Sequence, residues 1–213
     1  MRFKGPEYEL VRDALSAGLP LGLRGDRHFL REVKLPTGQP DIVVVAGTRT
    51  GSQSPRLSTT QLKVTHHLWC RGPQDTESLA RQLLMSYSHV EAVLLPLQEM
   101  GRVRAADGRW RAMSLRSAYN VRRIVAIEAK VSAWRRALAQ ARANQWFASS
   151  TYILMPRRSI SADALVEARM FGVGVLSYSS GRVRRELKPS LQPIPISYGS
   201  WLVSDLVMGD MRD

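Results

Sequence analysis

The chain has 213 residues, with 31 Lys and Arg against 18 Asp and Glu, a formal charge of +13. That length holds one domain with a substantial core or two small ones, and that charge favours a polyanion, because neutralising phosphates releases counterions. One cysteine, Cys70, rules out an intramolecular disulfide and forms no zinc pattern with the four histidines, and no apolar run near 18 residues, signal peptide or dense lysine tract is evident. The expectation is a cytoplasmic protein that meets nucleic acid and no membrane.

Residues 6–17 read as a helix, with Pro6 at its start, Leu10, Val11, Ala14 and Leu15 on one face and Gly18 as its stop. A strand is expected from His28 to Leu35. Pro36-Thr37-Gly38 then turns the chain into a strand from Asp41 to Ala46, whose apolar run is continuous. Residues 47–58 are rich in Gly, Ser, Thr and Arg and mark a boundary.

The texture then changes. Thr59–Trp69 is helical in period, Asp75 starts a second helix through Leu79, Ala80, Leu83 and Leu84, and Ser86 caps a third through Val90, Val93, Leu94 and Leu97. Pro96 lies inside that third helix, where it removes a hydrogen bond. Asp107-Gly108 is a hairpin signal between Arg102-Val103-Arg104 and Arg109-Trp110-Arg111. Three helices followed by a hairpin resemble a winged helix-turn-helix over residues 57–113. That resemblance implies a third helix presenting Tyr87, Ser88 and His89 to a duplex groove, with Glu91 opposing it. The arginines of the wing, Arg102, Arg104, Arg109 and Arg111, would contact phosphate.

After residue 120 the first texture resumes. Ile124–Lys130 reads as a strand covered on both faces, followed by a helix from Ser132 to about Phe147. A strand Thr151–Met155, a helix Ala162–Met170, a strand Gly174–Tyr178, a strand Val183–Leu187 and a closing helix Ser200–Met208 complete the order.

The outer segments carry Pro40-Asp41 at the mouth of one apolar strand and Glu128-Ala129-Lys130 at the end of another. The next helix carries Trp134-Arg135-Arg136-Ala137-Leu138-Ala139-Gln140-Ala141. Two carboxylates can hold Mg²⁺, and a lysine beside them can orient water and offset phosphate charge. In this order the residues resemble the PD-(D/E)XK nuclease superfamily. The gap between Asp41 and Glu128 is unusually long, and an inserted winged helix accounts for it.

The resemblance implies a restriction-endonuclease-like α/β fold, a mixed sheet flanked by helices and interrupted by the winged helix-turn-helix. The expected division is 1–54 and 117–213 for the nuclease core and 55–116 for the insertion. It further implies Asp41, Glu128, Lys130 and Gln140 as catalytic residues. Glu7, Asp41 and Glu128 become ligands of Mg²⁺, or of Mn²⁺ in its place. Glu7 is preferred to Glu9 because it shares the face of Leu10, Val11 and Ala14. Arg135, with Arg116, Arg122, Arg123, Arg136 and Arg142, continues the basic path from the wing.

The expected partner is double-stranded DNA, with a homodimer or a recruiting protein as further partners. Two rivals stand beside this reading. One is a DNA-binding transcription regulator with an inactive nuclease-like core, which would bind duplex without metal-dependent cutting. The other is a nuclease subunit that cuts only with a partner. The individual residues also have plain alternatives: Asp41 as a turn residue, Glu128 and Lys130 as a surface pair, and Glu7 as a helix-start carboxylate.

Overall fold

The computed structural model describes residues 5–36, 38–47, 55–115, 119, 121–195 and 197–210. The chain divides into two compact units, Met1–Thr48 with Val121–Ser200, and Arg49–Asn120 with Trp201–Asp213.

The first unit is α/β, built on a mixed six-stranded sheet. Its strands are β1 (Arg27–Arg31), β2 (Ile42–Ala46), β5 (Arg123–Ala129), β6 (Ser150–Pro156), β7 (Gly174–Ser179) and β8 (Arg182–Leu187), side by side in that order. The β5–β6 and β6–β7 pairs are parallel and the other three antiparallel. Every residue of β2 is buried, as is nearly all of β5, so neither strand alternates apolar with polar. Strands covered on both faces read as continuous apolar runs, which is why these two were legible in the sequence.

One face of the sheet packs on α1 (Pro6–Ala17) through Leu10, Val11 and Ala14, which meet Ile42, Val44, Val125, Ile127 and Leu154. The other packs on α5 (Trp134–Asn144) and α6 (Ala162–Met170). Ala137, Leu138, Ala141 and Ala168 meet Ile153, Met155 and Val175 there. The alanines let α5 approach the sheet closely. That closeness later brings a polar side chain of α5 onto β5.

Two of the boundaries that differ from expectation lie where non-glycine residues take left-handed backbone. The strand expected to reach Leu35 stops at Arg31, because Glu32 has φ 51° and cannot continue an extended chain. The helix expected from Ser132 begins at Trp134, because Ala133 has φ 50°. Residues 48–54, in the predicted boundary loop, lie outside the described residues.

In the second unit, α2 (Thr59–Arg71), α3 (Thr76–Leu83) and α4 (Tyr87–Glu99) precede a hairpin of β3 (Val103–Ala106) and β4 (Arg109–Ala112). Each helix has a side-chain cap. Ser58 accepts from the Gln61 N–H in a reciprocal capping box, Asp75 from the Ser78 N–H and Ser86 from the His89 N–H. Helix α4 runs through Pro96 to Glu99. Asp107 and Gly108 both have positive φ, 53° and 69°, as a tight two-residue hairpin requires.

The closing helix α7 (Tyr198–Asp210) corrects the expected division. From Trp201 onward it groups with the second unit instead of the core. The reason is burial: Trp201 is 2% exposed, with its ring 5.3 Å from Tyr119 and 5.9 Å from Trp69. Asp205 accepts the Leu57 N–H at 2.9 Å and lies 3.6 Å from Arg56.

Candidate active site

Strand register brings the two expected carboxylates together. Ile42 pairs with Ile127, so Asp41 at the start of β2 stands beside Glu128 near the end of β5. The Ala129 N–H donates to Asp41 Oδ2 at 2.7 Å, fixing that side chain across the strand ends.

Glu128 is 3% exposed. Strand neighbours Ile127 and Ala129 belong to the α1 face of the core, so Glu128 points to the α5 face. There Asn144, also 3% exposed, donates through Nδ2 to Glu128 Oε1 at 2.6 Å. Burial and the neighbouring Asp41 carboxylate push Glu128 up to about 7, while the Asn144 bond and Lys130 pull against that rise. Asp41 is raised too, chiefly by burial, and is restrained by the Ala129 N–H and by Lys130. Two carboxylates held together, both shifted upward, mark a place short of positive charge.

Lys130 is 9% exposed and anchored twice. Its Nζ donates to Glu7 Oε2 at 3.0 Å and to the Ala129 carbonyl at 3.1 Å. Its own N–H donates to the Leu154 carbonyl, continuing the ladder one residue past β5. Glu7 is thus ion-paired with Lys130 while its charge also acts on Asp41, and among the described residues no three His, Cys, Asp or Glu side chains gather as a metal set. A two-carboxylate site still fits Mg²⁺, which is commonly bound by one or two carboxylates, with water and substrate phosphate filling its octahedron. The raised Glu128 and Asp41 are the chemistry such a cation would relieve.

A cleft of about 290 Å³ opens at Asp41 and is lined also by Glu7, Tyr8, Arg31, Glu32 and Val131. The Arg31 guanidinium lies 4.8 Å from the centre of the Tyr8 ring. Glu32, whose charge adds to the upward push on Asp41, is held there by the left-handed backbone that ends β1.

Gln140, which the resemblance would have hold either Lys130 or a phosphate, accepts no hydrogen bond from Lys130. Its Oε1 is buried and has no hydrogen-bond partner among the described residues. Gln140 precedes Asn144 by four residues, so the two share a helix face, with Gln140 one turn nearer the strand end that carries Lys130. A buried acceptor without a donor is uncommon and calls for one. Asn144 itself was missed in the sequence. The available signal was Ala137-Gln140-Ala141-Asn144, two amides at helical spacing among small residues.

The expected nucleic-acid contacts divide. Tyr87, Ser88 and His89 are exposed on the first turn of α4, as are Arg104 and Arg109 on the hairpin, while Arg111 is half-buried. Arg104 stands directly opposite Arg111, a like-charged pair that an anion would relieve. Arg102 is a correction: it is 5% exposed in the second unit, where Asp205 acts on it, so it is no surface phosphate contact. It lies between α4 and β3, after Met100 and Gly101, and its N–H donates back to the Leu97 carbonyl. Arg135 is exposed over the Trp134 ring at 4.4 Å, whereas Arg142 lies against Phe171 at 3.7 Å. Arg116 lies outside the described residues.

No family model and no curated protein matches the chain. Among solved structures, a protein of unknown function from Silicibacter pomeroyi is similar over 55% of this chain and 80% of its own, at 15% identity and a TM-score of 0.31. So low a score supports no statement about fold or function. Among the described residues no helix is long and apolar enough to cross a membrane.

Proposed function

We propose that the protein is a metal-dependent DNA endonuclease of the PD-(D/E)XK type. In this reading the first unit is the restriction-endonuclease-like core, and α2 to β4 form an inserted winged helix-turn-helix that adds duplex affinity. The observation that carries the proposal is the meeting of Asp41 and Glu128 from distant parts of the chain at one strand end, with Lys130 fixed beside them.

Asp41, Glu128 and the Ala129 carbonyl would hold Mg²⁺, or Mn²⁺ in its place. Bound there, the ion supplies charge that polarises the phosphate and lowers the pKa of water. The remaining roles belong to the side chains. Asn144 keeps Glu128 turned to the α5 face and favours its ionised form. Glu7 and the Ala129 carbonyl hold the Lys130 ammonium at the strand end, where it offsets charge developing on the phosphate. The unpartnered Gln140 Oε1 accepts a hydrogen bond from the attacking water. Water adds to phosphorus, losing a proton to solvent, as the bond to the leaving deoxyribose oxygen breaks and that oxygen takes a proton from solvent; the products are a phosphomonoester and a free hydroxyl, and no protein nucleophile is consumed.

The test is incubation of supercoiled plasmid with the purified protein in Mg²⁺, in Mn²⁺ and in EDTA. Nicking or linearisation with metal and none in EDTA is expected. Duplex binding without any cutting would favour a regulator.

A further inference from the structure

A second concavity lies at the same end of the same sheet. It encloses about 450 Å³ and is lined by Arg157, Ser177, Ser179, Ser180, Arg182 and Arg184. The strand ladders fix its position. Ala129 pairs with Leu154 and Leu154 with Leu176, so Ser177 stands level with Lys130, two strands away. Ser177 pairs with Arg184 and Ser179 with Arg182, which places all four side chains on one face of β7 and β8. Val175 on that face packs with α5 and α6, so it is the face toward which Glu128 points.

The chemistry of the lining is that of an anion site. Three guanidinium groups and three hydroxyls converge on it. One carboxylate opposes them: Glu186 is 3.0 Å from Arg157 Nη1 and accepts from Ser177 Oγ at 2.5 Å. Arg182 and Arg184 make no ion pair among the described residues, which leaves two uncompensated charges at the mouth. An edge strand such as β8 also gains from charged residues that discourage pairing with other chains. Edge protection alone, however, does not require arginines to meet serine hydroxyls around a cavity. Guanidinium groups give planar, forked donors suited to phosphate oxygens, and the hydroxyls of Ser179 and Ser180 add further donors, that of Ser177 being committed to Glu186.

We propose that this pocket holds a backbone phosphate of the nucleic acid bound at the carboxylate site. The proposal rests on the nuclease reading above. Strands in a sheet lie about 4.8 Å apart, so β7 and β8 stand roughly 10 to 14 Å from β5. That is the axial rise of about three to four nucleotides of one strand. The pocket would thus fix the backbone at a set distance from the scissile phosphate, without reading any base.

The experiment is binding of a short labelled duplex in EDTA, followed by anisotropy across salt concentrations. The protein carrying Arg182→Ser with Arg184→Ser is compared with wild type and with Arg12→Ser with Arg169→Ser. The control pair removes the same charge from helix positions that run away from this end of the sheet. Losing one phosphate contact should make the slope of log affinity against log salt shallower by about 0.9 in the pocket variant, and leave the control near wild type. An unchanged slope, or an equal change in both variants, overturns the pocket. Because no cleavage is needed, failure of the wild type to cut plasmid would refute the hydrolase reading while leaving this binding result to stand or fall by itself.

Discussion

Glu128 is a carboxylate buried to 3% exposure beside a second carboxylate, and that arrangement has a measurable cost. In the unfolded chain it titrates near 4.5, and in the folded protein it is pushed up to about 7. A group whose folded pKa is raised contributes stability that is full below the unfolded value and is lost as pH rises through the folded value. Ionising Glu128 in the folded state therefore costs about 3 kcal/mol, at roughly 1.4 kcal/mol per pH unit across that window. Glu128→Gln removes the charge and keeps an acceptor for the Asn144 amide. In EDTA, urea unfolding should find this variant equal to wild type or slightly less stable near pH 4.5. It should be more stable by about 3 kcal/mol at pH 8. Adding Mg²⁺ should recover stability for wild type at pH 8 and do little for the variant, because an ion that binds only the folded state stabilises it by mass action. Parallel stability curves for the two proteins from pH 4.5 to 8 would refute the reasoning. They would mean that Glu128 is solvated and that no cation is wanted beside it.

The neighbours of Glu128 give further expectations. Asn144→Leu deletes the 2.6 Å bond to the carboxylate and should cost roughly 1.5 to 3 kcal/mol at pH 8, less at pH 5 where Glu128 is neutral. It should also move the acidic limb of the pH–rate profile upward, since the bond lowers the pKa of Glu128. A merely structural asparagine would lower stability at both pH values and leave the profile in place. Lys130→Met should reduce cleavage by about 10² to 10³-fold at saturating duplex, the scale of losing one electrostatic stabiliser. It should also raise both carboxylates, which Lys130 holds down. Unaltered single-turnover rates would remove Lys130 from the site.

Much of the fold was legible because its signals are local. The continuous apolar runs of β2 and β5 announced central strands, Asp75 and Ser86 announced helix starts, and Asp107-Gly108 announced a hairpin. The mixed six-stranded sheet agrees with what the family resemblance implied, not with anything the periods alone reveal. What stayed hidden depends on contacts between distant segments. Nothing in the sequence around Arg102 separates it from Arg104, yet one is buried and the other exposed. Trp201 joins the second unit because Trp69 and Tyr119 surround it, which no period reveals. Asn144 becomes meaningful only once the alanines of α5 let the helix lie close to β5. The left-handed Glu32 and Ala133 broke elements whose composition favoured continuation. The arginine and serine pocket is assembled from the end of β6, from β7 and from β8, so no single stretch of sequence contains it.

The most direct measurement is single-turnover cleavage of supercoiled plasmid in Mg²⁺ by wild type, Asp41→Ala and Lys130→Ala, with duplex binding measured alongside. The account predicts cutting by wild type, loss of cutting in both variants and binding retained by all three. Equal cutting by wild type and Asp41→Ala would contradict it, because the strand-end carboxylates would then have no part in the reaction.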